Sequence, residues 1–368
     1  MPVGEKKVGL PELFYDLVFV YALSRTTELV HHADEADYVT FLISLVILFT
    51  VWSYQSIYIN RFGDNSWRDR LFLFADMFLL LFLSNAVGSD WLANFVPFNL
   101  ALGLLVGSVC LQYLLQLARH ASPEQRRRIK LVAGLRGLTA ATVLGSLLFP
   151  AHIGQWVALG GFGLGWIFPT FVSHKQPAVN FPHLLERLNG LVIIFFGETV
   201  IDIAPYFHVA KFEIGALPVI VILFAMFTVY MMQFSYFIDE HKAQNSGALP
   251  SYSHYAVLIG IALVTVALAW LHQNSTATAE SVRMLWLGLG VFYLGVAANT
   301  PYNQPEHRRP QRLWIFQTTL FVIGAGLAAV LPPQPLTTAL MTAAIAMATV
   351  YFERRTRQLS QTNQNHET

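Results

Sequence analysis

Leu71-Phe72-Leu73-Phe74-Ala75-Asp76-Met77-Phe78 is a run of large apolar side chains broken by one carboxylate, and it continues as Leu79-Leu80-Leu81-Phe82-Leu83. A stretch of about 20 such residues crosses a hydrocarbon core of about 30 Å as a helix. The same texture recurs along the chain, whose 368 residues are 55% hydrophobic and only 12% charged, with a mean hydropathy of +0.49. A soluble globular protein carries roughly twice that share of charge. With charged and Pro/Gly breaks as boundaries, apolar spans fall near 10-29, 38-60, 69-88, 95-118, 129-149 and 152-173. The second half reads near 183-204, 215-238, 253-272, 282-299, 312-331 and 336-352. The expected fold is therefore an all-α, polytopic transmembrane helix bundle of about 12 spans, with no room for a separate soluble catalytic domain. The segment before the first span has no small-residue cleavage site after an apolar core, so it reads as a lead-in and not a removable signal peptide.

Basic residues in short loops set orientation. Lys6, Lys7, Arg61, Arg68, Arg70, Arg119, Arg126, Arg127, Arg128 and Lys130 fall on one side, with Lys175, Arg187, Lys242, Arg308, Arg309, Arg312, Arg354, Arg355 and Arg357. Only Arg25, Lys211 and Arg283 fall on the other, while Arg136 lies inside span five. Both termini are thus expected in the cytoplasm, and the protein in a cell membrane surrounded by lipid. A net charge of +1 gives no reason to expect a nucleic-acid partner. Cys110 is the only cysteine, so intramolecular disulfides and thiolate clusters are excluded.

The two halves resemble each other. Phe49-Thr50-Val51-Trp52 with Gln55 and Tyr58 matches Phe227-Thr228-Val229-Tyr230 with Gln233 and Tyr236 at a constant offset of 227 − 49 = 178. Pro11, Glu12, Leu17 and Val18 find a looser counterpart in Pro182, Glu186, Leu191 and Val192. Six spans separate the copies, an even number, so parallel repeats are expected over 1-174 and 175-353, followed by a polar cytoplasmic tail over 354-368.

Charges inside spans point to function, because an acid at a helix centre costs about 2.5–3.5 kcal/mol even on the mildest scale. Glu12 and Asp16 are one turn apart, so their carboxylates share a helix face near the cytoplasmic end. Such a pair suits a proton or small cation, unless an arginine intervenes. The alternative is that Glu12 serves the helix N-terminus and a neighbouring helix caps Asp16. In span seven Arg187, Leu191, Ile194, Glu198 and Asp202 share one stripe, with Glu186 alongside. Arg187 and Glu198 are about 16 Å apart along the axis, so each needs a partner on another helix. Gly197 allows close helix approach or a local break. Asp76 is expected to face the interior, with Arg136 as its candidate ion-pair partner. Gln55, Gln233, Asn85 and Gln112 could extend a polar path or serve as interhelical glue.

Other patterns carry less. His31, His32, Asp34, Glu35 and Asp37 form an acidic loop without spaced metal ligands. HExxH, GxxxxGK[ST] and GxSxG are absent, and no metal, cofactor or catalytic set is expected. Gly160-Gly161-Phe162-Gly163-Leu164-Gly165 and the Gly103–Gly107 pair read as helix-packing surfaces. Arg126-Arg127-Arg128 with Lys130 suits anionic headgroups as well as topology. Asn274-Ser275-Thr276 fits a glycosylation sequon.

Pro11-Glu12-Leu13-Phe14-Tyr15-Asp16-Leu17-Val18-Phe19-Val20-Tyr21-Ala22-Leu23 resembles the opening signature of the bacterial low temperature requirement A family. Glu186-Arg187-Leu188, Val192-Ile193-Ile194 and Gly197-Glu198-Thr199-Val200 resemble its second signature, with Leu188 and Asn189 where Phe and Gly are expected. The resemblance implies a multi-pass protein of the bacterial inner membrane and points to Glu12, Asp16, Glu186, Arg187 and Glu198; it brings no biochemical activity with it. Phe14-Tyr15-Asp16-Leu17-Val18-Phe19 with Ala22 is also similar to the first-helix Phe-Ser-Asp signature of potassium channels without a pore loop, although Tyr15 replaces the Ser.

The leading expectation is a secondary transporter or ion-translocating protein whose path uses Glu12, Asp16, Asp76, Glu186, Arg187, Glu198 and Asp202. Its partners would be a proton, a small cation or a small-molecule substrate, and a homo-oligomer is compatible. A cation channel without a pore loop, a lipid-modifying enzyme and a structural membrane protein are the alternatives.

Overall fold

The computed structural model describes residues 6–30, 35–88, 90–119, 122–172, 175–207, 214–240, 247–273, 279–307, 311–330 and 334–367. His31, His32, Asp34, Lys211, Lys242, Arg308, Arg309 and the Asn274 sequon lie outside the described residues, as do the side chains of Glu35, Asp37, Arg312 and Arg357. Among the described residues the chain is all-helical, without a strand; one isolated bridge joins Ile238 to Asn303.

The first six helices are α1 (Leu10–Glu28), α2 (Glu35–Phe62), α3 (Trp67–Asn85), α4 (Phe95–Gln116), α5 (Pro123–Gly145) and α6 (Ala151–Phe171). They are followed by α7 (Phe181–Ile203), α8 (Leu217–Met231), α9 (Ala248–Gln273), α10 (Ala279–Ala297), α11 (Gln311–Val330) and α12 (Gln334–Glu367). A helix stands at each expected apolar span. α5 begins earlier than hydropathy alone indicates, because Pro123 and Glu124 supply start signals ahead of the apolar residues. α8 passes into a π-helical segment over Met232–Phe237. α12 continues as helix through the polar residues that follow its apolar part.

Among the described residues seven helical segments are long and apolar enough to cross a membrane: Tyr38–Phe62, Phe95–Gln116, Pro123–Leu148, Phe181–Tyr206, Leu217–Phe237, Ala248–His272 and Ala279–Tyr302. α1 is not among them because Glu12, Asp16, Arg25 and Glu28 share its nineteen residues. Its burial pattern is nonetheless the reverse of a soluble helix. Leu10, Leu13, Phe14 and Leu17 are exposed, while Glu12 and Asp16 are at most 1% exposed. α3 repeats the pattern, exposing Leu71, Phe74, Phe78 and Phe82 and burying Asp76. Water would penalise both faces of such helices; lipid solvates the apolar face and forces the charges to find partners inside.

The chain divides into two compact units, Met1–Ile194 with Ala243–Ser251, and Phe195–Lys242 with Tyr252–Thr368. In the first unit α1 packs on α2 and α3, α4 on α2, α3 and α5, and α5 on α6. The α5–α6 contact explains the glycine run. A Cβ on Gly161 would overlap the Thr142 side chain, and one on Gly165 would overlap Thr139. The glycines thus let two helices approach at backbone distance, as the sequence indicates. The Gly165 carbonyl also accepts the Tyr54 hydroxyl at 2.9 Å and Arg136 Nη1 at 3.2 Å. Arg136 lies 3.3 Å from the centroid of the Tyr54 ring. The expected Asp76–Arg136 ion pair is therefore not made, since Arg136 turns toward α6 and the aromatic face.

In the second unit α12 packs on α8 and α11, and α10 on α11. α9 and α10 meet where Gly288 faces Leu263 and Gly295 faces Val257. Polar pairs tie the interior: Thr199 to Thr265 at 2.7 Å, Tyr230 to His254 at 3.0 Å and Gln233 to Asn303 at 2.6 Å.

Gly165→Leu should lower stability by about 1–3 kcal/mol through overpacking against Thr139. Gly163→Ala, which meets open space, should leave it unchanged or raise it by about 1 kcal/mol through helix propensity. Thermal unfolding of the purified protein in one detergent compares the two.

Candidate functional site

Two buried carboxylates of the first unit, Glu12 and Asp16, come together at Arg187, on the second turn of α7. Arg187 is 1% exposed. Its Nη1 donates to Glu12 Oε2 at 2.6 Å and its Nη2 to Asp16 Oδ1 at 2.6 Å. Nη2 also reaches Ser56 Oγ at 3.1 Å. The guanidinium fork spans two carboxylates one helical turn apart, a separation its planar geometry matches and a lysine's point charge would not. Arg187 was counted above among the orienting basic residues; buried in α7, it is a structural partner instead.

The surroundings come from local helix rules. Glu12 lies at the third position of α1, and its Oε1 accepts the Gly9 N–H at 3.1 Å, so one carboxylate oxygen closes the helix start while the other binds Arg187. Glu12 thus caps the start of α1, as the end-capping alternative has it, and at the same time pairs with Arg187. Asp16 Oδ1 accepts Trp52 Nε1 at 2.7 Å as well as Arg187. Asn180 Oδ1 accepts the His183 N–H at 3.2 Å and so caps the start of α7.

Asn60 settles the tautomer of His183. Its Oδ1 accepts the Asn180 N–H at 2.8 Å, which fixes the orientation of the amide, and its Nδ2 then donates to the Asn180 carbonyl at 2.8 Å. The same Nδ2 stands 3.0 Å from His183 Nδ1, which must accept. The imidazole proton is left on Nε2, 3.3 Å from Glu12 Oε2. His183 and Arg187 are four residues apart, and both face Glu12. On the loop side, Lys6 Nζ donates to the Gly63 carbonyl at 2.7 Å and to the Ile59 carbonyl, closing the end of α2.

Asp76 stands on α3, beside α1, and is 1% exposed. Its Oδ2 accepts Gln112 Nε2 at 3.4 Å. Gln112 and Gln55 exchange reciprocal amide bonds at 3.0 and 3.2 Å. Asn85 accepts the exposed Tyr21 hydroxyl at 2.7 Å, the glue role.

Of the residues singled out in the sequence, Glu12, Asp16 and Arg187 meet directly. Asp76 occupies a second polar cluster in the same unit. Glu186 is exposed and takes no place in the cluster. Glu198 is buried and Asp202 half-buried, both in the part of α7 that belongs to the second unit. Gly197 meets open space, and α7 runs through it unbroken, so the local break does not occur. Leu188, a departure from the second signature, is fully buried. Ser56, Asn60, Asn180 and His183 escaped the sequence reading, which met Trp52 only in the repeat match and Lys6 only among the orienting charges. A signal was present: Trp52, Ser56 and Asn60 recur every four residues, and Asn180, His183 and Arg187 at spacings of three and four.

Apolar faces outward and charges inward define a multi-pass helical membrane protein, with an arginine–carboxylate cluster inside its first unit. The chain belongs to the bacterial low temperature requirement A (LtrA) family, whose sequence profile matches residues 7–352. Among curated proteins none matches it. The two signature segments of the sequence are thus the two sides of one cluster, Glu12 and Asp16 from the first and Arg187 from the second.

Arg187→Met strands two buried carboxylates and should cost about 3–5 kcal/mol, the usual consequence of breaking a buried ion pair from one side. The triple variant Glu12→Gln, Asp16→Asn, Arg187→Met should recover much of that loss, as read by thermal unfolding of matched preparations. A separate test concerns Lys6, whose ammonium burial pushes below the ordinary lysine value of 10.5, opposed by the nearby Glu12 charge. The folded protein then binds this proton less tightly than the unfolded chain does. Stability relative to Lys6→Met should therefore rise with pH as the folded Lys6 loses its proton, and level off above 10.5. Chemical denaturation at a series of alkaline pH values measures the difference.

Proposed function

We propose that this chain is an ion-translocating protein or secondary transporter of the bacterial inner membrane. Twelve spans, cytoplasmic termini and two parallel repeats over 1-174 and 175-353 complete the proposal, with 354-368 on the cytoplasmic side. A helix at every expected apolar span supports the count, and α1, with nineteen residues, is about 28 Å long. The repeats draw support from Gln55 and Gln233, which are buried at matching places and each bond to another amide. The π-helical turn at Met232–Phe237 has no counterpart in α2, so the copies have diverged there.

The observation that carries the functional reading is Arg187 held between two buried carboxylates, with Asp76 on a neighbouring helix. Buried ion pairs add little net stability compared with apolar packing, so charge kept inside the bundle is better explained by use. An arginine that bridges two acids can release one of them to a proton or cation and take it back. Such an exchange is the elementary step of coupled transport. Asp16 and Asp76 would carry it in the first unit, with Glu12 holding Arg187 in place, while Glu198 and Asp202 would serve the second. Glu186, being exposed, would lie at the mouth of the path.

A second reading, a static clamp that only holds α1, α2 and α7 together, is favoured by the short distances at Arg187. Ion flux into proteoliposomes under imposed proton, sodium and potassium gradients separates the two. Asp16→Asn and Glu198→Gln should abolish flux while the protein still folds. Wild-type protein that is folded and passes none of these ions would reject the translocation reading, and saturation would distinguish a transporter from a channel.

A further inference from the structure

The carboxylate of Asp76 differs from the other buried acids of the first unit in having no cation. Glu12 and Asp16 share Arg187, whereas no ion pair reaches Asp76 among the described residues. Its carboxylate meets two neutral groups, Gln112 Nε2 at 3.4 Å from Oδ2 and the Ser108 hydroxyl. A carboxylate in that position cannot remain uncompensated, because an isolated buried charge costs far more than a fold's margin of stability.

The groups around it are neutral and rich in oxygen. α3 packs against α1 and α4. From α4 come Gln112 and Ser108, whose hydroxyl faces the carboxylate and lies 3.3 Å from Gln112 Nε2. From α2 comes Gln55, through its paired amide. α1 contributes the titratable and charged groups, Tyr15 and Asp16. Tyr15 is fully buried, its hydroxyl makes no hydrogen bond, and it lies within electrostatic reach of Asp76, Asp16 and Arg187. Arg187 is already committed to Glu12 and Asp16. Three helices, α1, α2 and α4, thus bring polar groups toward one acid, and none of those groups is a positive charge.

We propose that Asp76, with Gln55, Ser108 and Gln112, binds a dehydrated monovalent cation, a proton or a sodium ion, at a site separate from the Arg187 cluster. The proposal deepens the translocation reading by naming the ion class and rests on that reading for its role, though the site itself can be tested without flux. Asp76 is the carrier acid, and Tyr15 lies within electrostatic reach of both it and Asp16.

The test uses the full-length protein in lipid nanodiscs. Thermal unfolding midpoints are recorded against pH and against sodium chloride replacing choline chloride at constant ionic strength, for wild type, Asp76→Asn and Asp16→Asn. Wild type should show a saturable rise in midpoint with the bound cation, Asp76→Asn should be insensitive to it, and Asp16→Asn should keep the response. Dependence on sodium at fixed pH identifies sodium; dependence on pH alone identifies the proton. Should Asp76→Asn fail to fold, carbodiimide labelling of the wild type decides, since this reagent modifies protonated carboxyls in apolar surroundings. Asp76 should be modified, with sodium or high pH protecting it, and Glu12 and Asp16 should be spared. A response equally strong in Asp76→Asn, or no response together with no labelling of Asp76, overturns the site. Cation-dependent stability without flux under any gradient would reject translocation and keep the site. Flux that needs Asp16 and is unchanged in Asp76→Asn would keep translocation and overturn the carrier role of Asp76.

Discussion

A single guanidinium buried among carboxylates constrains the first unit more than any other group. Arg187 cannot be left unpaired in a lipid-embedded helix bundle, so α7 has to lie where Glu12 and Asp16 can both reach it. α1 must then turn the face bearing those acids inward and its leucines and phenylalanine outward. Trp52 and Ser56 on α2 complete the bonds to Asp16 and Arg187, and α2 takes its rotation from them. The capping contacts of Glu12 with Gly9 and of Asn180 with His183 begin two of these helices at the register the cluster needs. Local helix rules and the charge cluster therefore agree on one arrangement, the consistency expected of a sequence that specifies one structure.

Two kinds of contact share the work of holding the helices. Where the surfaces are small, as at Gly161 and Gly165 against Thr142 and Thr139, backbones come close and dispersion and carbonyl contacts dominate. Where the surfaces are polar, as at Gln55–Gln112 or Thr199–Thr265, directional bonds replace them. Lipid is as apolar as leucine, so burying leucine gives no drive between helices, and these two devices take its place. Arg136 belongs to both: it packs on the Tyr54 ring and donates to the carbonyl of Gly165.

The fold class and the helices were legible from hydropathy, because a membrane helix is a local property of some twenty residues. Glu12 and Asp16 were legible as a pair because four residues make one turn, and so was their need for a partner. Arg187 was singled out as a charge that had to look to another helix, yet the acids it meets lie 175 and 171 residues away. No spacing rule spans that distance. The pairing of Asp76 with Arg136 failed for the same reason, since hydropathy gives depth in the membrane but not azimuth, and Arg136 faces Tyr54.

By itself the sequence determined that this is a helical membrane protein, where its helices lie, and which few charges are forced inside, because helix formation and transfer into lipid depend on neighbouring residues alone. The tertiary structure decided that Arg187 joins the two signature segments, that Asn60 directs the His183 proton toward Glu12, and that Asp76 has no cation partner among the described residues. Those outcomes depend on the rotation of each helix about its axis and on which helix stands beside which. That information resides in contacts between residues far apart in the chain.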